Sequence, residues 1–238
     1  MKRSKGYIVY EGPSEIDGGP IVAIATNSSS NPKTGNIMQL WIMRADVRPT
    51  LATKGGEDRS VCGDCKHRHF NDGDCYIMPF TGPLGVWKAY KKGVYDTLDD
   101  FNIFNNRILR FGAYGDPHAL PIDVLVMIKT NVRNSTSYTH LWKTLTGLDL
   151  NISKQFTMAS VDNLKEKHEA QELGFRTFRV VKDYTEMESD EIICPNVTRN
   201  ITCMECKLCN GNRNGSNVKN IVIQSHGVKS KRKLKKIG

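Results

Sequence analysis

Residues 155–181 read QFTMASVDNLKEKHEAQELGFRTFRVV, and this stretch decides the fold class. Its opening, QFTMASVD, is a short run rich in strand formers. NLKEKHEAQELG follows with Asn163 or Asp162 as a helix cap and Gly174 to close the last turn. FRTFRVVKDY then returns to strand chemistry. Two strands joined through a helix need a crossover, and a crossover predicts a parallel pairing.

The same alternation runs outward in both directions. PIVAIAT and MQLWIMRAD are apolar strands separated by the loop NSSSNPKTGN. GPLGVWKAYKKG is a helix, with Pro83 tolerated in its first turn and Gly93 at its end. RILRFGAYGDP reads as a strand, PIDVLVMIKTNV as a helix and YTHLW as a strand, with DEIICP and NIVIQSHG as the last strands. Six or seven such units predict a single α/β domain over residues 1–228. Its sheet is an open parallel one or a partial (βα) barrel, rather than a closed eight-fold barrel.

Sites in parallel α/β folds collect at the carboxyl ends of strands, where loops and helix N-termini converge. Several strands here finish in polar, chemically useful residues. FGAYGDP ends in Gly115 and Asp116, YTH carries Tyr138 and His140, MASVD ends in Ser160 and Asp162, and IQSHG ends in Ser225 and His226. Asp116, His140, Asp162 and His226 are the catalytic candidates, and Gly115, Asp116 and Ser160 are candidates for holding a cofactor. Each has a plain structural alternative: Asp162 as a helix cap, Gly115-Asp116-Pro117 as a turn.

All seven cysteines fall into two groups. Cys62, Cys65 and Cys75 lie in VCGDCKHRHFNDGDCYIMPF, and Cys194, Cys203, Cys206 and Cys209 in CPNVTRNITCMECKLCNG. The opening segment has no apolar run of a secretory signal, so the expected compartment is a reducing cytoplasm, where paired thiols bind metal more often than they form disulfides. Three cysteines at consecutive x2 spacing, with Cys194 as a fourth, suit an iron–sulfur cluster of the kind ferredoxins hold. Four thiolates also suit zinc. The upstream trio either binds a 4Fe–4S cluster with one iron left open, or takes His67 or His69 as a fourth ligand for zinc. A single site shared by all seven is a third option, and the intervals do not choose.

The net charge of +9 is concentrated at the termini. Residues 229–238 carry six positive charges and Lys2, Arg3 and Lys5 three more, which leaves the body neutral. A flexible basic tail at 229–238 is expected, with nucleic acid as its implied partner or solubility as its plain role. No stretch approaches the roughly 20 apolar residues of a membrane span, so no membrane partner is expected. Among other signatures, no phosphate-binding glycine loop or serine elbow occurs. Trp87 and Trp142 read as core residues, and Asp99 and Asp100 as solvated.

The strings NPKTG, MQLWIMRAD, VCGDCKHR, GVWKAY, LRFGAYGDP, YTHLW, MASVDN, GFRTFRV, TCMECKLC and IVIQSHG resemble an uncharacterised family encoded by bacteriophages and plasmids. More distantly, the order of cysteine loop, βα units and late cysteine group is similar to compact radical S-adenosylmethionine (SAM) proteins. That resemblance implies a three-cysteine 4Fe–4S cluster at the mouth of a partial barrel, an auxiliary cluster near the C-terminus, and SAM as a cofactor. The leading expectation is an iron–sulfur protein of this kind in the host cytoplasm, with nucleic acid or a nucleotide as its candidate substrate. The alternative is a zinc-stabilised nucleic-acid-binding or replication accessory protein without catalysis. Tyr76 stands beside Cys75, as an aromatic residue commonly stands beside a ligand in that superfamily. Two departures are plain: the usual CxxxCxxC becomes x2 and x9 spacing, and Gly55-Gly56-Glu57 precedes the cysteine loop instead of following it.

Overall fold

A computed structural model describes residues 4–28, 30–214 and 218–225 of the chain. His226 and the basic segment 229–238 lie outside the described residues. Eleven strands follow in order: β1 (Gly6–Pro13), β2 (Pro20–Thr26), β3 (Met38–Arg44), β4 (Asp96–Thr97), β5 (Ile108–Tyr114), β6 (Asn134–Thr136), β7 (Tyr138–Thr139), β8 (Met158–Val161), β9 (Thr177–Val181), β10 (Glu191–Ile193) and β11 (Asn220–Gln224). They form a six-stranded sheet ordered β4-β1-β2-β3-β5-β6 and a five-stranded sheet ordered β10-β11-β9-β8-β7. Neither sheet closes into a barrel.

The βαβ unit of residues 155–181 forms as its sequence predicts. β8 and β9 pair in parallel, joined through the helix Leu164–Glu172. Asn163 is the cap, its side chain accepting the N–H of Glu166 at 2.8 Å, and Gly174 closes the turn at φ +86. Capping by Asn163 frees the neighbouring Asp162 for other work. The whole five-stranded sheet is parallel, as are the pairs β3–β5 and β5–β6.

The amino-terminal end differs from a purely parallel expectation. β1, β2 and β3 are antiparallel neighbours, because β1 and β2 are joined by a short polar turn. A connection that short returns the chain alongside itself, whereas a parallel neighbour needs a crossover of a dozen residues or more. In β2, Ile21 to Ala25 are all fully buried, so both faces of this strand are covered, and Met38, Leu40, Ile42, Met43, Phe104, Phe111 and Phe156 complete the main core.

The two sheets meet at one segment. β6 and β7 are separated by Ser137 alone, whose N–H donates to the Cys209 carbonyl and whose carbonyl accepts from Met158. YTHLW is extended only at Tyr138–Thr139, and Leu141–Lys143 coil into a 3-10 turn. The reason is local: Asp116 accepts the His140 N–H at 2.8 Å, and Thr139 Oγ1 accepts the Leu141 N–H at 2.9 Å, so the backbone turns off the sheet. Trp142 is buried as expected, its indole N–H donating to the Ser160 carbonyl. Among the described residues no helix is long and apolar enough to cross a membrane.

Candidate metal centre

The first cysteine loop begins on a short helix, Arg59–Cys62, and folds back on itself. The Cys75 N–H donates to the His67 carbonyl at 3.0 Å, and the Gly73 N–H donates to the Arg68 carbonyl at 2.9 Å. Gly73 is required here, since a Cβ would lie 2.3 Å from the His67 carbonyl carbon. This fold-back closes the long x9 interval. Arg68 fixes the loop from inside: its guanidinium is buried against the Asp58 carboxylate at 2.5 Å and donates to the carbonyls of Gly56 and Gly63. Gly56 is the left-handed cap of the preceding helix, Pro49–Gly55, which accounts for Gly55-Gly56-Glu57 without a cofactor.

Burial pushes up each thiol of Cys62, Cys65 and Cys75, Cys65 to about 12, and among the described residues no three cysteine sulfurs lie within 4.8 Å of one another. Opposing burial, backbone amides are aimed at the sulfurs: His67 N–H at Cys65 and Ile77 N–H at Cys75. An amide donor on sulfur favours the thiolate, the form that binds metal. Tyr114 supplies a second sign of a missing partner. Its hydroxyl is buried without a hydrogen bond among the described residues, and Cys62, Asp58 and Cys75 are its electrostatic neighbours. A buried, unpaired hydroxyl is costly, so its place beside the trio fits an acceptor held by the cysteines.

Neither nearby histidine turns its Nε2 toward a metal shared with the trio. His67 Nε2 lies 2.6 Å from the Asp162 carboxylate, and His69 Nε2 lies 2.9 Å from the Ile77 carbonyl. The group of ligand atoms that falls within 4.8 Å among the described residues is His67, His140 and Asp162, without a cysteine. All seven cysteines are free thiols.

The strand-end residues gather beside this loop. A cleft of about 220 Å³ is lined by Cys65, Lys66, His140, Ser160, Asp162 and Glu166, among others. Burial works against the charge of Asp162, but hydrogen bonds and charge from His67, with Lys66 at 3.0 Å, hold its carboxyl down to about 2. Burial holds His140 neutral, with its pKa lowered to about 4. Asp116 is raised to about 6 by burial, against hydrogen bonds from the backbone N–H groups of His118 and His140 and from Thr139 Oγ1. Its carboxylate pins the ends of β5 and β7 together and positions His140. Gly115 takes φ +80, and a Cβ there would lie 2.6 Å from the Ile42 carbonyl, so the turn itself accounts for this glycine.

The later group forms a second neighbourhood. Cys194 follows β10 and caps the helix Pro195–Arg199, and Cys203–Cys206 is a single helical turn closed by a Thr202/Glu205 capping box. The thiol of Cys209 is pushed up by burial, and its electrostatic neighbours include the other three; a hydrogen bond with Tyr138 lowers it in part. Leu208 N–H is aimed at Cys206, repeating the pattern of the first loop. The NPKTG turn docks here: the Lys33 and Thr34 carbonyls accept the N–H groups of Cys203 and Met204.

Arg110 went unnoticed in the sequence, although a cation inside the apolar strand ILRFGAY is a legible anomaly. It is buried, donates to the Tyr76 hydroxyl at 2.5 Å, and lies within electrostatic reach of both Cys75 and Cys203. Its charge thus favours the thiolate at one cysteine of each group, and its hydrogen bond fixes Tyr76 next to Cys75. Lys66 and Glu166 were also missed, and only the fold places them at the cleft. Comparison of the chain with family models, with curated proteins and with solved structures gives no match.

Proposed function

We propose that the chain is an iron–sulfur protein of the radical-SAM type, in which Cys62, Cys65 and Cys75 hold a 4Fe–4S cluster. Cys194, Cys203, Cys206 and Cys209 hold a second, closed centre. The observation that carries this reading is the opening of one member of the trio, Cys65, onto a polar cleft at the carboxyl ends of the parallel strands β7 and β8. Amide donors on Cys65 and Cys75, and the unpaired Tyr114 hydroxyl, support a group with sulfur acceptors there. The parallel sheet β10-β11-β9-β8-β7 supports an open arrangement in which the ends of β7 and β8 carry the cleft. A cluster held by three thiolates supplies one electron at a time and an iron open to a small ligand.

The protein's own residues then have distinct tasks. Tyr76, next to Cys75 in the chain, is held by Arg110. Asp116 positions His140, while Lys66, Ser160, Asp162 and Glu166 present donors and acceptors to a small polar ligand such as SAM. The six positive charges of residues 229–238 support an acidic substrate, nucleic acid or a nucleotide.

Iron, sulfide and zinc analysis of anaerobically purified protein tests this first. Iron with sulfide is expected, and the double variant His67→Ala/His69→Ala should keep both. Zinc in place of iron, or loss of the first centre in the double variant, would replace this reading with a zinc-stabilised binding protein.

A further inference from the structure

The cysteines are not the only metal-ligating residues that the fold assembles. From the geometry we infer that His67, His140 and Asp162 form a separate mononuclear site for a divalent transition metal, opening onto the cleft beside the cysteine trio. The three come from different elements: His67 from the loop between Cys65 and Cys75, His140 from the end of β7, and Asp162 from the end of β8. Their ligand atoms nonetheless all lie within 4.8 Å of one another.

Two imidazoles and one carboxylate are a donor set for iron(II), and for zinc or cobalt in similar geometry. Metal–ligand bonds of about 2.0–2.2 Å place neighbouring ligands roughly 3–3.5 Å apart. The present group therefore needs only small side-chain rotations to close. The His67–Asp162 contact of 2.6 Å would open slightly, and His140 would move in.

The state of each ligand fits this use. His140 makes no side-chain hydrogen bond among the described residues; its ring meets His67 edge-on, with centroids 5.7 Å apart. The ring is half-buried at the cleft, so a nitrogen without a protein partner is open to a ligand arriving from solvent. Asp162 is excused from capping by Asn163, which leaves its carboxylate oxygen 2.6 Å from His67 Nε2.

Supporting contacts hold the ligands from behind. Asp116 accepts the backbone N–H of His140, and Glu166 accepts the backbone N–H of Asp162 at 2.9 Å. Lys66 Nζ, 3.0 Å from Asp162 on a half-exposed side chain, stands in for the cation and can swing away. Three protein ligands leave coordination positions open toward the cleft of about 220 Å³, which suits a small exogenous ligand.

The test uses the full chain, anaerobic and with its cysteine-bound metal in place, titrated with cobalt(II) alone. One equivalent should bind, with d–d absorption and no thiolate-to-cobalt charge-transfer band. His140→Ala and Asp162→Asn should each weaken binding at least tenfold, with the iron and sulfide content retained. Unchanged cobalt affinity in both variants, or a thiolate band, overturns the proposal. Loss of iron together with cobalt also overturns it, because the two sites would then be one. The cobalt result holds or fails whether the cysteines carry iron or zinc, so it is distinguishable from a failure of the iron–sulfur reading.

Discussion

Replacing Tyr114 by Phe removes one oxygen from the wall of the first cysteine loop, and the sign of its effect depends on what the cysteines hold. Without metal, the hydroxyl is buried and unpaired. An unsatisfied buried polar group costs about 1–3 kcal/mol, so its removal should stabilise the metal-free protein by up to that amount. For a chain of this size each kcal/mol moves Tm by about 2–4 °C. With a cluster in place the hydroxyl has an anionic acceptor nearby, and hydrogen bonds to charged groups contribute about 1.5–3 kcal/mol. Tyr114→Phe should then lower the Tm of the loaded protein while raising that of the empty one. Thermal melts of both forms under anaerobic conditions read the two shifts directly. Equal shifts of the same sign in both forms would refute the reasoning, because the hydroxyl would then be indifferent to the centre.

Other expectations follow from the same contacts. Cys206→Ser should release the later centre and lower Tm sharply, since metal binding and folding share free energy on the order of 10 kcal/mol for structural zinc sites; unchanged metal content in that variant would contradict the four-cysteine assignment. Removal of residues 229–238 should leave the melt unchanged and flatten the salt dependence of any nucleic-acid binding, and an unchanged salt slope would move that interaction onto the folded body. Burial works against the charge of Asp190, yet hydrogen bonds from Lys167, Asn220 and Gln171 outweigh it, and Lys167 likewise holds Glu188 low. Carboxyls held down in the folded state add stability above their unfolded pKa and lose it as pH falls through the folded one. Stability should therefore fall as pH drops below about 4, and less steeply in Asp190→Asn.

The fold was legible where local signals agreed with tertiary ones. QFTMASVD, NLKEKHEAQELG and FRTFRVV each carry one period and one set of boundary residues, and each forms its expected element. β1 was missed although Tyr7-Ile8-Val9-Tyr10 is a run of strand formers; it is short, only half buried, and flanked by the basic start and a polar turn. The short strand at Tyr138–Thr139 was overcalled, because Asp116, distant in sequence, draws the backbone of His140 away from the sheet.

The site was legible as residue types but not as partnerships. Strand-end logic pointed to His140, Ser160 and Asp162, which do line one cleft. Nothing in the spacing announced that His67 would reach Asp162, or that Arg110 would bond Tyr76. Those contacts depend on loop closure at Gly73 and on the shared segment at Ser137, which are properties of the assembled sheets.

A cluster with an open iron at the first cysteine group is what distinguishes a radical-SAM-type protein from a zinc-stabilised one. Electron paramagnetic resonance of the reduced, anaerobic protein, with and without S-adenosylmethionine, tests that claim most directly. Two iron–sulfur signals are expected, and SAM should perturb only the one abolished by Cys75→Ser. A spectrum indifferent to SAM, or a protein that carries zinc and no iron, would contradict it.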